Sequence, residues 1–241
     1  MRVEEIYAHL DRVSPFELQA SWDNSGLIIG SFDQEIEKVV LSIDIDEALI
    51  DEVEEGSLII THHPLIFSGI KSMDFATYPS KLLAKMMEKG IVNIAMHTNF
   101  DQTHLNRYVL EKVLGEVAVD EGDYLLYYET DRDFESTVRE VKERFGLQQT
   151  KVVVGHGRRI KRVALCTGSG ASMIADVKAD LFLTGDIKYH DAMEAKALCL
   201  NMIDIGHFES ERFFGKILAP DLKNLGLTVI ISSSKNPFTY M

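Results

Sequence analysis

The chain has 241 residues, 46% hydrophobic and 26% charged, with a formal net charge of −13 at pH 7. That length supports one large domain or two of about 120 residues, each able to bury a core. The acidic balance argues against broad nucleic-acid binding, which runs on Lys and Arg, although Arg158-Arg159 with Lys161-Arg162 forms a local basic patch. No apolar run reaches the ~20 residues that span a bilayer. The start, Met1-Arg2-Val3-Glu4-Glu5, lacks the apolar segment of a signal peptide. Cys166 and Cys199 lie far apart in apolar surroundings and read as buried free thiols of a cytoplasmic protein.

In chain order, Val3 to Leu10 has the spacing of an amphipathic helix, with Ile6, His9 and Leu10 on one side. The polar turn Trp22-Asp23-Asn24-Ser25-Gly26 comes next; Trp22 reads as a packing residue or as one that lines a pocket, and Asp23 and Asn24 as turn formers. Val39 to Ile43 predicts a strand ending in Asp44, and Glu47 to Glu55 a helix. The short β-branched run Leu58-Ile59-Ile60 then reads as a buried strand of a parallel sheet. It closes on Thr61-His62-His63-Pro64, where the proline stops the ladder and two imidazoles emerge at the carboxyl edge. In open α/β sheets that edge is where ligands bind. Adjacent histidines there suit metal, although a pair of surface loop histidines is the plainer alternative.

Tyr78 to Lys89 predicts a helix closed by Gly90, and Ile91 to Met96 another buried strand. It delivers His97-Thr98-Asn99-Phe100-Asp101 ahead of a helix from Gln102 to about Leu114. Asp101 reads either as the N-cap of that helix or as a carboxylate ligand. Beyond the acidic connector from Glu116 to Asp123, strands are expected at Tyr124 to Glu129, Lys151 to Val154 and Arg162 to Cys166, and a helix at Phe134 to Phe145. Thr167-Gly168-Ser169-Gly170 then opens an expected helix, Met173 to Lys178. It is either a tight turn or a backbone cradle for an anion.

The strand Asp180 to Thr184 ends in Gly185-Asp186, with His190 opening the helix Ala192 to Leu198. Asn201 to Ile205 predicts a strand leading into Gly206-His207-Phe208-Glu209-Ser210-Glu211, where His207 and Glu211 share a helix face. A helix to about Leu218, before Pro220, and a strand Thr228 to Ser232 complete the chain.

Taken together, Thr61-His62-His63-Pro64, His97-Thr98-Asn99-Phe100-Asp101, Thr184-Gly185-Asp186 with His190-Asp191, and Gly206-His207 with Glu211 resemble the dinuclear metal-centre proteins, the GTP cyclohydrolase I type 2 homologues. The likeness extends over nearly the whole chain. It implies two interlocked α/β domains with central mixed, largely parallel sheets flanked by helices, assembled as a ring-shaped homohexamer. The implied division is 1-118 plus 206-241, carrying most of the metal site, and 119-205. An extra domain found mid-chain in many relatives has no room here, and the acidic connector marks where it would insert.

The resemblance implies His62, His63, Asp101, His207 and Glu211 as metal ligands, with His97 as a further pocket residue. Asp186 stands where many relatives are expected to carry Glu. Three imidazoles and two carboxylates cannot saturate two ions, so positions remain for water and substrate. Such a pair of divalent ions activates a bridging water and clamps an anionic oxygen. Asp101 is the natural bridge, Glu211 completes the second ion, and His97 or His190 serves as general acid or base. Nitrogen and oxygen donors suit Zn, Mn, Fe, Co or Ni. The expected activity is hydrolysis of a nucleotide or phosphoester, the substrate being a small anion. The alternative is a metal-stabilised ring scaffold; a ring threading nucleic acid is the poorer third option.

Overall fold

A computed structural model describes residues 1–239. Among them the strands are, in chain order, β1 (Gly26–Ile29), β2 (Lys38–Ser42), β3 (Leu58–Thr61), β4 (Val92–Ala95), β5 (Asp120–Glu121), β6 (Leu126–Arg132), β7 (Val152–Val153), β8 (Ile160–Leu165), β9 (Leu181–Thr184), β10 (Asn201–Asp204) and β11 (Thr228–Ile231). They form two mixed sheets flanked by helices, as the alternating periods predict. The chain divides into two compact units: Met1–Thr103 with Phe214–Lys235, and His104–Phe213 with the C-terminal residues from Asn236. Compared with the expected extents, the first boundary falls inside a helix and the second lies beyond Glu211. His207 and Glu211 therefore belong to the second unit.

The first unit holds the sheet β1-β4-β3-β2-β11. Only β1 is antiparallel, paired with β4; β11, β2, β3 and β4 run parallel. Every residue of β3 and β4 is buried, which explains why both read as mainly apolar runs rather than alternating ones. The amide of β4, Asn93, is fully buried and donates to the Ile59 carbonyl at 3.0 Å and to the hydroxyl of Thr61, the polar residue closing β3, at 3.1 Å. The helix Val3–Val13 buries Val3, Ile6 and Leu10 at the helical spacing. On another side Leu49, Ile50, Leu82, Leu83 and Met86, from the helices Glu47–Glu52 and Ser80–Glu88, pack with Val40 and Ile59.

The second unit holds β5-β6-β8-β9-β10-β7, with β8, β9 and β10 parallel and antiparallel pairings at both edges. The acidic connector contributes the edge strand β5. The helix Phe134–Phe145 runs as predicted, capped by the Asp133 carboxylate and ended by Gly146 in left-handed backbone.

Three expectations need correction. The helix after the glycine turn is a tight 3₁₀ segment, Ala171–Asp176. The last helix does not stop before Pro220 but runs Phe214–Asn224 through it. Pro220 lies on the exposed side, while Leu218, Ala219 and Leu222 remain buried on the other and keep the helix in place. Cys166 is buried as expected, but Cys199 is exposed, in the left-handed turn that closes the helix Tyr189–Ala197.

Candidate metal centre

The ladder of the first sheet continues past the end of β3. The amide of His62 donates to Ser42 O at 3.1 Å and that of His63 to Ile43 O at 3.0 Å, so both histidines are anchored by their backbones before Pro64 turns the chain. His62 is fully buried and His63 half-buried. His62 Nδ1 is hydrogen-bonded to the Met96 carbonyl at 3.0 Å, and His63 Nδ1 to Asp44 at 2.8 Å. Both rings are thereby fixed through Nδ1.

His97 is held in the same way. Its amide donates to the Ser25 hydroxyl at 3.1 Å, and its Nδ1 meets Asp23 at 2.8 Å. The Asp23 side chain is completely shielded from solvent and also accepts from the Thr98 amide at 3.1 Å. Burial pushes the Asp23 carboxyl up, but the bonds to His97, Thr98 and Asn24 outweigh it and hold it well below the usual carboxylate range. Asp23 is thus more than a turn former. His62, His63 and His97 each bring one ring nitrogen within 4.8 Å of the others.

Asp101 does not cap a helix. The helical run begins at Thr98, immediately after the strand, and continues to Leu114 with several widened turns. The Asp101 amide already bonds to His97 O at 3.0 Å, so Asp101 stands inside the first turn. Only 9% exposed, it places Oδ1 3.4 Å from His62 Nε2. The capping alternative is excluded, and the carboxylate joins the histidines.

In the second unit, Gly206 at φ +76° turns the chain from β10 into the short helix His207–Glu211. One helical turn puts His207 Nε2 3.1 Å from Glu211 Oε2, with Glu211 only 2% exposed. His207 Nδ1 is paired with Asp186 at 2.7 Å. Burial disfavours the imidazolium, yet Glu211 and Asp186 on its two nitrogens push the His207 pKa up to about 10. Asp186 is a non-glycine residue in left-handed backbone, which the shorter acidic side chain tolerates. Its function is to orient His207.

The glycine turn beside this pair is no anion cradle. The Thr167 amide is taken by Asn106 at 2.8 Å, that of Gly168 by the Ser210 hydroxyl at 3.0 Å and that of Gly170 by the Thr184 hydroxyl at 2.8 Å. Gly168 serves packing: a Cβ there would collide with Glu211 Oε1. His190 is exposed at the start of the helix Tyr189–Ala197, its ring edge-on to Tyr189. It belongs to none of the metal-capable groups among the described residues.

The first unit therefore carries a three-histidine cluster with Asp101 beside it, and the second a His207–Glu211 pair, donor types that suit a borderline divalent ion. In three of the four histidines a carboxylate holds Nδ1, the outer-shell arrangement that fixes tautomer and orientation in metal sites. Asp44 and Asp23 escape sequence reading because they lie 19 and 74 residues from the rings they hold. Of the two readings of Trp22, interior packing fails. The residue is 60% exposed, beside Phe67 and His97.

The DUF34/NIF3 (NGG1p interacting factor 3) family matches residues 1–237 of the chain. A Campylobacter jejuni protein named GTP cyclohydrolase 1 type 2 homolog is 51% identical over 240 residues, covering 100% of both chains. A Helicobacter pylori protein named GTP cyclohydrolase 1 type 2 is 40% identical over 237 residues, 98% of this chain and 97% of that one. A Staphylococcus aureus protein of known structure superposes with a TM-score of 0.87 at 27% identity, covering 100% of this chain and 99% of that one. Reduced HcgD from Methanocaldococcus jannaschii gives 0.80 at 27% identity, over 97% and 98% of the two chains.

Proposed function

The chain belongs to the DUF34/NIF3 family, and on that premise we propose that it is a dinuclear-metal-dependent hydrolase of nucleotides or phosphoesters. The proposed ligands are His62, His63 and Asp101 from the first unit and His207 and Glu211 from the second. The observation that carries the reading is the convergence of one ring nitrogen each of His62, His63 and His97 within 4.8 Å, every ring being held through a hydrogen bond at Nδ1. Such rings present Nε2 lone pairs in a fixed direction. Names carried by the relatives, GTP cyclohydrolase 1 type 2 and its homolog, support a nucleotide substrate.

Divalent ions held by these donors would lower the pKa of a water and offset the charge of an anionic oxygen. The protein's own contribution is orientation and proton handling. Asp44 and Asp186 keep the His63 and His207 rings aimed. Asp101 and Glu211 supply oxygen donors from buried positions, where their charge is weakly screened. His97 takes up a proton at Nε2 while Asp23 holds its Nδ1 hydrogen and stabilises the imidazolium.

Metal analysis of the purified protein, followed by hydrolysis of a panel of nucleotides and phosphoesters with and without Mn or Zn, tests the proposal. Two ions per chain and metal-dependent turnover are expected. A chain that binds neither metal, or whose turnover survives chelation, overturns it.

A further inference from the structure

Two large aromatic side chains stand exposed beside the histidine cluster of the first unit. Trp22 is 60% exposed and Phe67 50%, and their ring centroids are 5.8 Å apart at 45°. Both rings lie 6.1 Å from the His97 ring, each nearly perpendicular to it. They reach that position from loops 45 residues apart in sequence, and the loops are tied together. The side chain of Asn24 donates to the Ile66 carbonyl at 2.6 Å, one residue from Phe67, and Asp23 bonds His97 one residue from Trp22. The loop that orients His97 therefore also presents the indole.

We propose that Trp22 and Phe67 form a platform on which a planar heteroaromatic ring of the substrate, a nucleobase, stacks with its edge toward His97. This rests on the hydrolase reading above and specifies its substrate class as nucleotides rather than simple phosphoesters. The rings already touch, so no slot lies between them; the occupant lies on their outer faces. What sets these two exposed rings apart is that they lie side by side against the histidine cluster, so they offer contiguous apolar area that a flat ligand could cover. Stacking on a base recovers that area, and is tolerant of base identity because every base has a π-face. The adjoining imidazole cluster suits the polar part of the same molecule.

Trp22 is the only tryptophan, so its fluorescence reports the platform directly. The full-length, metal-loaded protein is titrated with guanosine monophosphate, adenosine monophosphate and ribose phosphate, in parallel with calorimetry. Saturable quenching by both nucleotides and none by ribose phosphate is expected. Phe67→Ala should weaken nucleotide binding roughly 10-fold or more, as should Trp22→Ala followed by calorimetry. Trp22→Phe should stay within about threefold of wild type, with metal content unchanged in all three variants. Absence of quenching by either nucleotide overturns the platform. So does a Trp22→Ala variant that binds nucleotide normally but changes its oligomeric state, which would make the patch a contact between copies. Normal quenching in a protein that hydrolyses nothing would instead overturn the hydrolase reading and leave the platform standing.

Discussion

Asp186 Oδ2 lies 2.7 Å from His207 Nδ1, and in the other unit Asp44 Oδ1 lies 2.8 Å from His63 Nδ1. The same carboxylate–imidazole pairing thus occurs once in each half of the proposed ligand set, from residues far apart in sequence. Each carboxylate holds its ring through Nδ1, and the other nitrogen of His207 faces the Glu211 carboxylate at 3.1 Å.

Replacing Asp44 or Asp186 by Asn should therefore weaken metal binding about 10–100-fold while leaving the fold intact. Metal titration of each variant checks this, with circular dichroism as the control for folding. Unchanged affinity in both would show that the pairs only decorate the surface.

Asp101→Asn is expected to lower metal occupancy and abolish metal-dependent turnover. Asp101 sits inside a helical turn, not at its cap, so the substitution removes charge without removing a capping bond. Melting temperature, metal content and hydrolysis measured together separate the two readings of the metal. A large drop in melting temperature with no activity in either protein would favour a structural ion, whose binding energy is folding energy.

Gly168→Ala should be costly for a residue in a turn. Its φ of +66° requires left-handed backbone, which costs an alanine about 1–2 kcal/mol. The added methyl also displaces the Glu211 carboxylate, so metal content should fall along with stability in urea unfolding. Gly146→Ala, equally left-handed at φ +73° but with nothing near its Cβ, should cost stability alone.

In the metal-free protein, acid stability should depend on Asp23. Its folded pKa is depressed, so the stabilisation it contributes is fully present above the unfolded value of about 3.9 and is lost as pH falls below that. Asp23→Asn should flatten the unfolding free energy below about pH 4, measured by urea denaturation across the acid range. Equal acid limbs in the two proteins would contradict the assignment.

The sheet edges were legible because buried parallel strands announce themselves. Leu58-Ile59-Ile60 is an unbroken apolar run and Ile91 to Met96 is broken only by Asn93, and the residues directly after such runs sit at a carboxyl edge. His62, His63 and His97 could be placed from that alone. Asp101 was legible as a candidate but not in its setting, since nothing local shows that the helix begins three residues earlier. Asp44 and Asp23 were not legible as histidine partners, because tertiary folding alone brings them to the rings. Trp22 illustrates the reverse case: of its two readings, packing or lining a pocket, hydrophobicity favours burial, and the ring is nevertheless 60% exposed. Pro220 misled because a proline ends most helices, but not one whose opposite face is buried on both sides of it.

The pairing of β11 with β2 has a consequence for synthesis on the ribosome. Ser232 bonds to Ser42 across 190 residues, and β11 is the strand that covers the outer edge of β2. At ordinary elongation rates that edge waits roughly 10–40 s for its partner, during which the segment His104–Phe213 of the second unit is made. A nascent chain in this interval displays an unsatisfied ladder beside the freshly emerged His62-His63 strand, a template for pairing with neighbouring chains on the same polysome. Chaperone demand should accordingly fall in a permuted protein in which residues 214–235 precede residue 1, because the first sheet could then close before the second unit appears.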